Sequence, residues 1–437
     1  MSSTLYYNGT VITVDPGVPD GTALLVRDGK IQAVGEYQAL LALRDRGTKL
    51  VNLEGKTILP GFVDAHSHIT MAKLFPHFSP PPVGEIDSIP KLVEAARQEL
   101  DAHPPKKGKW FVGMGYDNAY FPDSRHPTRH DLDAISATVP IALIHVSAHV
   151  GVLNTLALKE AGITADSAVE GGVIHKDPAT GEPTGLLEER ALTGLLGGKA
   201  AMPSFSAILR SVREAQDLYA QNGITTAQDG AANPSTKTLY RALGLLGGMK
   251  IDVYAYMLID GGRKGLEGVD SRDTAYHNHF RVAGAKLLLD GSPQAKTAWL
   301  TQPYYVTPPG QDPDYRGYPV YEDDGQVLDF LKDCLRHNWQ VLCHCNGDAA
   351  GDQFVGLYRR AMEETGIRTP LRPVMIHAQT VREDQLDQMK EIGMYPSFFH
   401  DHTYYWGDYH LSSVLGPQRG ERISPLTSAL ARGMSFT

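Results

Sequence analysis

Cysteine is scarce in this chain: Cys334, Cys343 and Cys345 are the only three among 437 residues. An odd number without framework spacing excludes a small secreted domain stapled by disulfides. Long apolar runs are missing too. No stretch approaches the roughly 18 consecutive apolar residues of a bilayer-spanning helix. The opening Met-Ser-Ser-Thr-Leu-Tyr-Tyr-Asn-Gly has neither the basic nor the apolar region of a signal peptide. Together these absences make a reducing cytoplasm the expected compartment. Positive charge is also short, with 41 Lys and Arg against 50 Asp and Glu and a net charge of -9. The densest basic cluster, Pro-Pro-Lys-Lys-Gly-Lys at 104–109, reads as a solvated turn. That excludes the clustered basic field of a nucleic-acid or anionic-membrane surface. Internal repeats and low-complexity segments are lacking as well. What is present, 42% apolar and 21% charged residues, is the composition of an ordinary globular protein, long enough for a large domain with accessory pieces.

The first 57 residues read as short strands at 5–7, 10–14, 23–26, 31–35 and 49–52. Asp28-Gly29, set between two apolar runs, signals a two-residue hairpin because such turns demand positive φ. From residue 58 the pattern becomes strand-then-helix. Buried strands are predicted at 61–65, 224–228, 251–256, 282–289, 340–344, 373–377, 394–398 and 434–437, with helices such as 203–222 and 324–337 between them. Eight strands alternating with helices predict an α/β fold, a (β/α)8 TIM-type barrel over 58–70 and 221–437. The intervening 71–220 is longer than any βα loop. It carries its own strand at 141–146 and is expected to be an inserted α/β subdomain covering the barrel mouth.

With 17 histidines, about one His-x-His pair arises by chance. The chain holds three: His66/His68, His277/His279 and His400/His402. Context singles out the first, which closes Leu-Pro-Gly-Phe-Val-Asp-Ala-His-Ser-His at the end of a predicted buried strand. In a strand this spacing sends both imidazoles to one face, about 7 Å apart. Two neutral imidazoles so placed can converge on a borderline-soft cation such as zinc. A barrel keeps its chemistry at the C-terminal ends of its strands. His344 ends the fifth strand in Val-Leu-Cys-His-Cys-Asn-Gly-Asp, and His377 ends the sixth in Pro-Val-Met-Ile-His-Ala-Gln. One histidine after a strand is commonly a satisfied buried imidazole; four at three strand ends point to metal. Lys286 interrupts the apolar fourth strand, where an unpaired ammonium is expensive to bury. Either it pairs with an acid such as Asp290, or its amine is chemically altered, carries negative charge and bridges two cations. Period-2 alternation turns Cys343 and Cys345 away from His344, as packing residues.

In this order the motifs resemble the amidohydrolase superfamily, specifically the amidohydrolase-3 branch similar to N-substituted formamide deformylases. The resemblance is carried by Tyr-Asn-Gly-Thr-Val (7–11), Asp-Gly-Lys-Ile (28–31), the 59–68 run and Gly-Ile-Thr-Thr-Ala-Gln-Asp-Gly (223–230). It continues with Lys286 and Leu-Leu-Leu-Asp-Gly-Ser, His344 with Asn-Gly-Asp-Ala-Ala, and Ile-His-Ala-Gln (376–379). It implies a metal-dependent hydrolase barrel, with residues 1–57 as the N-terminal half of a small β-sandwich domain. It further implies two divalent metals, zinc being suited to nitrogen ligands at a hydrolytic site. His66 and His68 would hold one, His344 and His377 the other, and N-carboxylated Lys286 would bridge them. The implied activity is hydrolysis of a non-peptide C–N bond in a small linear amide, N-formyl or N-acyl compound by a metal-activated hydroxide, with Lys286, His344 and His377 as catalytic groups.

Substrate-facing candidates follow. His149, in Val-Ser-Ala-His-Val-Gly-Val-Leu-Asn, resembles a family segment that reaches toward the metals; a surface-loop histidine is the alternative. Tyr405 and Trp406, in the aromatic run 398–408, read as walls of an apolar substrate pocket or as lid packing. The resemblance also implies an aspartate at the end of the eighth strand. The last residues, 431–437, fall within that strand, and neither Asp401 nor Asp408 matches the position. A fragment of a longer protein is therefore expected. The rival readings are a non-catalytic, shortened remnant that binds metal or ligand, and a single-metal deaminase-like hydrolase. No nucleic-acid or membrane partner is expected, and a homodimer stays open.

Overall fold

The computed structural model describes residues 2–196, 203–259, 262–308 and 310–437. It divides into two compact units, Met1–Val63 with Asn222–Thr226 and Asp64–Gln221 with Ala227–Thr437. In the first, β1 (Ser3–Val11), β2 (Gly21–Arg27), β3 (Lys30–Gly35), β4 (Lys49–Asn52) and β5 (Thr57–Ile58) form a sheet ordered β3-β2-β1-β4, with β5 beside β1. Asp28 and Gly29, at φ 49° and 74°, turn the β2–β3 hairpin between Arg27 and Lys30, as the Asp-Gly pair predicts. Alternation along β1 and β2 packs Leu5, Ala23 and Leu25 with Leu40 of the helix Tyr37–Ala42.

After β6 (Phe62–Asp64), the second unit builds a sheet from β7 (Phe111–Tyr116), β8 (Ile141–His145), β9 (Val150–Leu153), β10 (Gly172–Lys176) and β11 (Pro183–Glu189), ordered β10-β11-β9-β8-β7. Its apolar strands are buried on both faces. Ile141 and Leu143 of β8 pack with Leu92 and Phe111, while Ala142 and Ile144 pack with Trp110 and Leu187. In this scaffold β11 ends, and β9 begins, beside the candidate site described below.

The largest sheet holds β6 with β12 (Ile224–Ala232), β13 (Asp252–Leu258), β14 (Phe280–Leu288), β15 (Gln340–Cys345), β16 (Val374–His377) and β17 (Tyr395–Phe398). Its order is β17-β16-β15-β14-β13-β12-β6, and every pairing from β13 to β17 is parallel. Helices Asp324–His337, Asp348–Thr365 and Glu383–Glu391 alternate with these strands. The first runs over the predicted span. Asp323 caps it by accepting the Gly325 N–H at 2.8 Å, and Asn338 closes it in the left-handed region at φ 56°. One face of the sheet packs Leu287, Val341, Cys343, Cys345 and Met375 with helix residues Leu331, Phe354 and Leu386. The other groups Tyr256, Leu342 and Ile376. The cysteines therefore pack on the face opposite His344, as alternation predicts.

Two expectations about strands change. Phe62 and Val63 are 55% and 62% exposed rather than buried, because β6 is the last strand in the order and has a neighbour on one side only. Residues 434–437 form no strand. Thr437 alone meets β17, accepting from Phe398 N–H at 2.7 Å and donating to Pro396 O at 3.3 Å, which falls short of a ladder. Among the described residues no helix is long and apolar enough to cross a membrane.

Candidate active site

His66 and His68 lie just past β6 and are laced to β12. Ser67 Oγ donates to Gln228 O at 2.7 Å, Gly230 N–H donates to Ser67 O at 2.8 Å, and His68 forms a bridge with Asp229. Gly230 is required at this crossing, since a Cβ there would lie 2.5 Å from the His66 ring. The two rings meet edge to face with centroids 5.3 Å apart. His66 Nδ1 lies 2.7 Å from Gln228 Oε1, an acceptor, so that nitrogen carries the proton. Its Nε2 is then the lone-pair nitrogen, and it is buried without a hydrogen-bond partner.

His344 arrives from β15. Its Nε2 donates to Gly291 O at 3.0 Å, leaving Nδ1 with the lone pair. His377 reaches the same place by a different device. It stands opposite Cys345 in the β15–β16 register, so simple alternation would turn it outward. At φ 72°, followed by Ala378 at φ 43°, the chain instead leaves the strand and the ring swings in. Its centroid lies 4.6 Å from that of His344 and 5.3 Å from that of His66. Burial lowers the pKa of His66, His344 and His377 well below the ordinary imidazole value. His68, whose own surface remains open, is lowered to about 4, by the protein packed around it first and by the Lys286 charge second. All four are neutral donors at pH 7.

Lys286 projects from β14 and is 1% exposed. Its Nζ has no hydrogen-bond partner, and no ion pair reaches it among the described residues. Asp290 does not serve. That carboxylate accepts the backbone N–H groups of Asn346, Gly347 and Trp299 at 3.0, 2.7 and 3.1 Å. Burial nevertheless pushes its pKa up to about 7. The Lys286 amine is pushed down to about 8 by burial. A buried, unpaired amine among lone-pair nitrogens is costly as it stands, which favours the altered-amine alternative over a structural ion pair.

The donor set suits a nitrogen-liganded divalent ion. Among the described residues, no three His, Cys, Asp or Glu side chains are grouped so that they could hold a metal ion as they stand. The fit rests on donor chemistry and on the two orphaned nitrogens, His66 Nε2 and Lys286 Nζ.

His149 is brought to this cluster: its ring lies 4.7 Å from that of His344, and its Nδ1 donates to Glu189 Oε2 at 2.8 Å. Burial works against its charged form, but the Glu189 charge and hydrogen bond outweigh it and raise its pKa. Tyr405 and Trp406 are placed elsewhere. Trp406 is buried and donates through Nε1 to Asp117 Oδ2 at 2.6 Å, and the Tyr405 carbonyl accepts from Tyr120 at 2.6 Å. The reason is helical: residues 401–409 form a helix, whose 3.6-residue period stacks His402 on Trp406 and leaves Tyr404 outside, 75% exposed. The aromatic that meets the cluster is Phe399, 5.6 Å from His377 between ring centroids. Sequence reasoning missed Phe399, Gln228 and Glu189. Glu189 left one signal, an acid doublet closing the apolar Leu186-Leu187.

Comparison with known proteins bears on family and fold. The chain is 27% identical to Protein LONG AFTER FAR-RED 3 of Arabidopsis thaliana, over 98% of its own length and 73% of that protein's. It is 29% identical to an N-substituted formamide deformylase of Arthrobacter pascens, over 57% of its length and 46% of the deformylase. A crystal structure of an uncharacterized metal-dependent hydrolase from Pyrococcus horikoshii superposes with a TM-score of 0.72 at 22% identity, covering 100% of this chain and 82% of that one. That likeness shows a shared fold. The amidohydrolase family profile matches residues 49–437, most of the chain and every residue of the cluster. The chain belongs to the amidohydrolase family.

Proposed function

We propose that the protein is a metal-dependent hydrolase of a non-peptide C–N bond, acting on a small linear amide of the N-formyl or N-acyl class. The observation that carries this reading is the gathering of His66, His68, His344 and His377 ring to ring, all four within reach of the Lys286 charge, with His66 Nε2 and Lys286 Nζ buried and unpartnered. Family membership and the deformylase relative support it. The parallel strands would belong to a (β/α)8 barrel, with the site at the strands' C-terminal ends.

His66 and His68 would hold one divalent ion and His344 and His377 a second, zinc being suited to such donors. When bound, such ions supply Lewis acidity toward an amide carbonyl and acidify water. The chain's own groups prepare the place. Gln228 fixes the His66 tautomer so that Nε2 faces inward, and the Gly291 carbonyl does the corresponding work for His344. Lys286, as free amine, adds CO2 with loss of one proton and becomes a carbamate. The carbamate would replace a buried, unpaired amine with two oxygen donors suited to divalent ions.

The test is release of amine from a panel of N-formyl and N-acetyl alkylamines by protein loaded with zinc. Turnover that disappears in His66→Ala and His377→Ala supports the reading. Absence of turnover across the panel, with metal bound, removes it.

A further inference from the structure

Beside the histidine cluster stands an imidazole–carboxylate pair that the reading above leaves without a part. His149 Nδ1 donates to Glu189 Oε2 at 2.8 Å, and the His149 ring lies 4.7 Å from that of His344. The His149 side chain is 15% exposed and that of Glu189 5%, so the imidazole is the more open of the two and the carboxylate the more deeply buried. The mounting is tight. His149 N–H donates to Ser147 Oγ at 3.2 Å, and Glu189 N–H donates to His149 O at 2.8 Å. Ala148 and Glu189 both sit in the left-handed region, at φ 61° and 49°. Backbone of that kind persists only where the surroundings impose it, and it gathers at functional sites. The second carboxylate oxygen, Glu189 Oε1, is buried without a partner. It is wedged against Gly291, where a Cβ would lie 2.3 Å away, and the Gly291 carbonyl is the one that receives His344. A surface-loop histidine needs none of this support.

We propose that Glu189 is a positioning residue that commits Nδ1 of His149 to its carboxylate, so that Nε2 is presented beside His344 to hydrogen-bond the amide group of a bound substrate. The role resembles that of the carboxylates that orient histidines around reactive centres: one nitrogen is anchored so that the other is aimed. The inference rests on the hydrolase reading given above. It assigns to the segment between β8 and β9 a part in substrate recognition, and to the end of β11 the duty of holding that part still.

The experiment compares zinc-loaded wild type with Glu189→Ala, Glu189→Gln, His149→Ala and the double variant His149→Ala/Glu189→Ala. Kinetics on N-acyl amines and the dissociation constant of acetohydroxamate are both measured, with metal content and thermal melts as controls. Glu189→Ala and His149→Ala should each lower kcat/KM by about 10–100-fold, with metal content unchanged. The double variant should be no worse than His149→Ala alone, because Glu189 acts only through His149. Glu189→Gln keeps an acceptor oxygen for Nδ1–H and should restore most of the loss, a rescue that a purely structural role does not require. Acetohydroxamate affinity should fall in the same order. Additive losses in the double variant, or Glu189→Gln as impaired as Glu189→Ala, overturn the proposal. If wild type turns over no amide, the hydrolase reading fails by itself and the hydroxamate series still decides. Equal affinity across wild type and variants, or none in wild type, overturns the positioning role.

Discussion

Gln228 illustrates how much a single side chain sets at this site. His66 has two ring nitrogens, and the 2.7 Å contact to Gln228 Oε1 decides which of them keeps a lone pair. Replacing Gln228 by Leu removes the acceptor while keeping bulk, and leaves a buried imidazole N–H unpaired. Zinc affinity should then fall by about 10–100-fold, read by competition with a chelator of known strength. An unchanged affinity would mean that His66 does not ligate through Nε2. The sequence displays Gln228 inside a motif, but nothing in its type or spacing says that it faces His66. That pairing spans 162 positions and exists only after folding.

At the scale of elements, regular periodicity was legible and departures from it were not. Alternation along β15 separates His344 from Cys343 and Cys345, and the structure agrees. The same rule applied to β16 would turn His377 away from the site; its left-handed backbone reverses that, and no turn residue announces it. The aromatic run after β17 left two readings open, pocket walls or lid packing. Once it coils into a helix, Trp406 is drawn to Asp117, and Phe399 is left to meet His377.

The loop after β14 offers a stability test away from the cluster. Lys296 is 9% exposed, donates to Val306 O at 2.7 Å, and is pushed down to about 8 by burial. Its folded pKa lies below the unfolded value of 10.5. The unfolded chain therefore binds more protons between these values, and stability rises with pH across that window. Below about 8 the penalty is fully present. Lys296→Met should gain on the order of 1 kcal/mol at pH 7, once solvent screening of a part-exposed ammonium and the loss of its Val306 hydrogen bond and Tyr409 ring contact are discounted. Its advantage over wild type should shrink as pH climbs through 8 to 10.5. Denaturant melts at several pH values read this directly, and a difference that does not vary with pH would contradict it.

For the whole molecule, the order of strands and the strand-end histidines could be read from the chain, because both follow from local hydrophobic pattern and ordered motifs. What could not be read was which remote groups orient them: Gln228, Gly291 and Glu189 come from three separate segments. The edge strand β6 shows the same limit, since the exposure of Phe62 and Val63 depends on which strands flank it. The central claim is that these segments assemble one centre in which four histidines and a modified Lys286 hold two divalent ions. Elemental analysis of zinc-loaded protein prepared with 13C-labelled CO2, combined with carbon NMR, tests it most directly. The account predicts about two metal ions per chain and a carbamate signal that is lost in Lys286→Ala. One ion per chain with an unmodified Lys286, or no tightly bound ion, would contradict it.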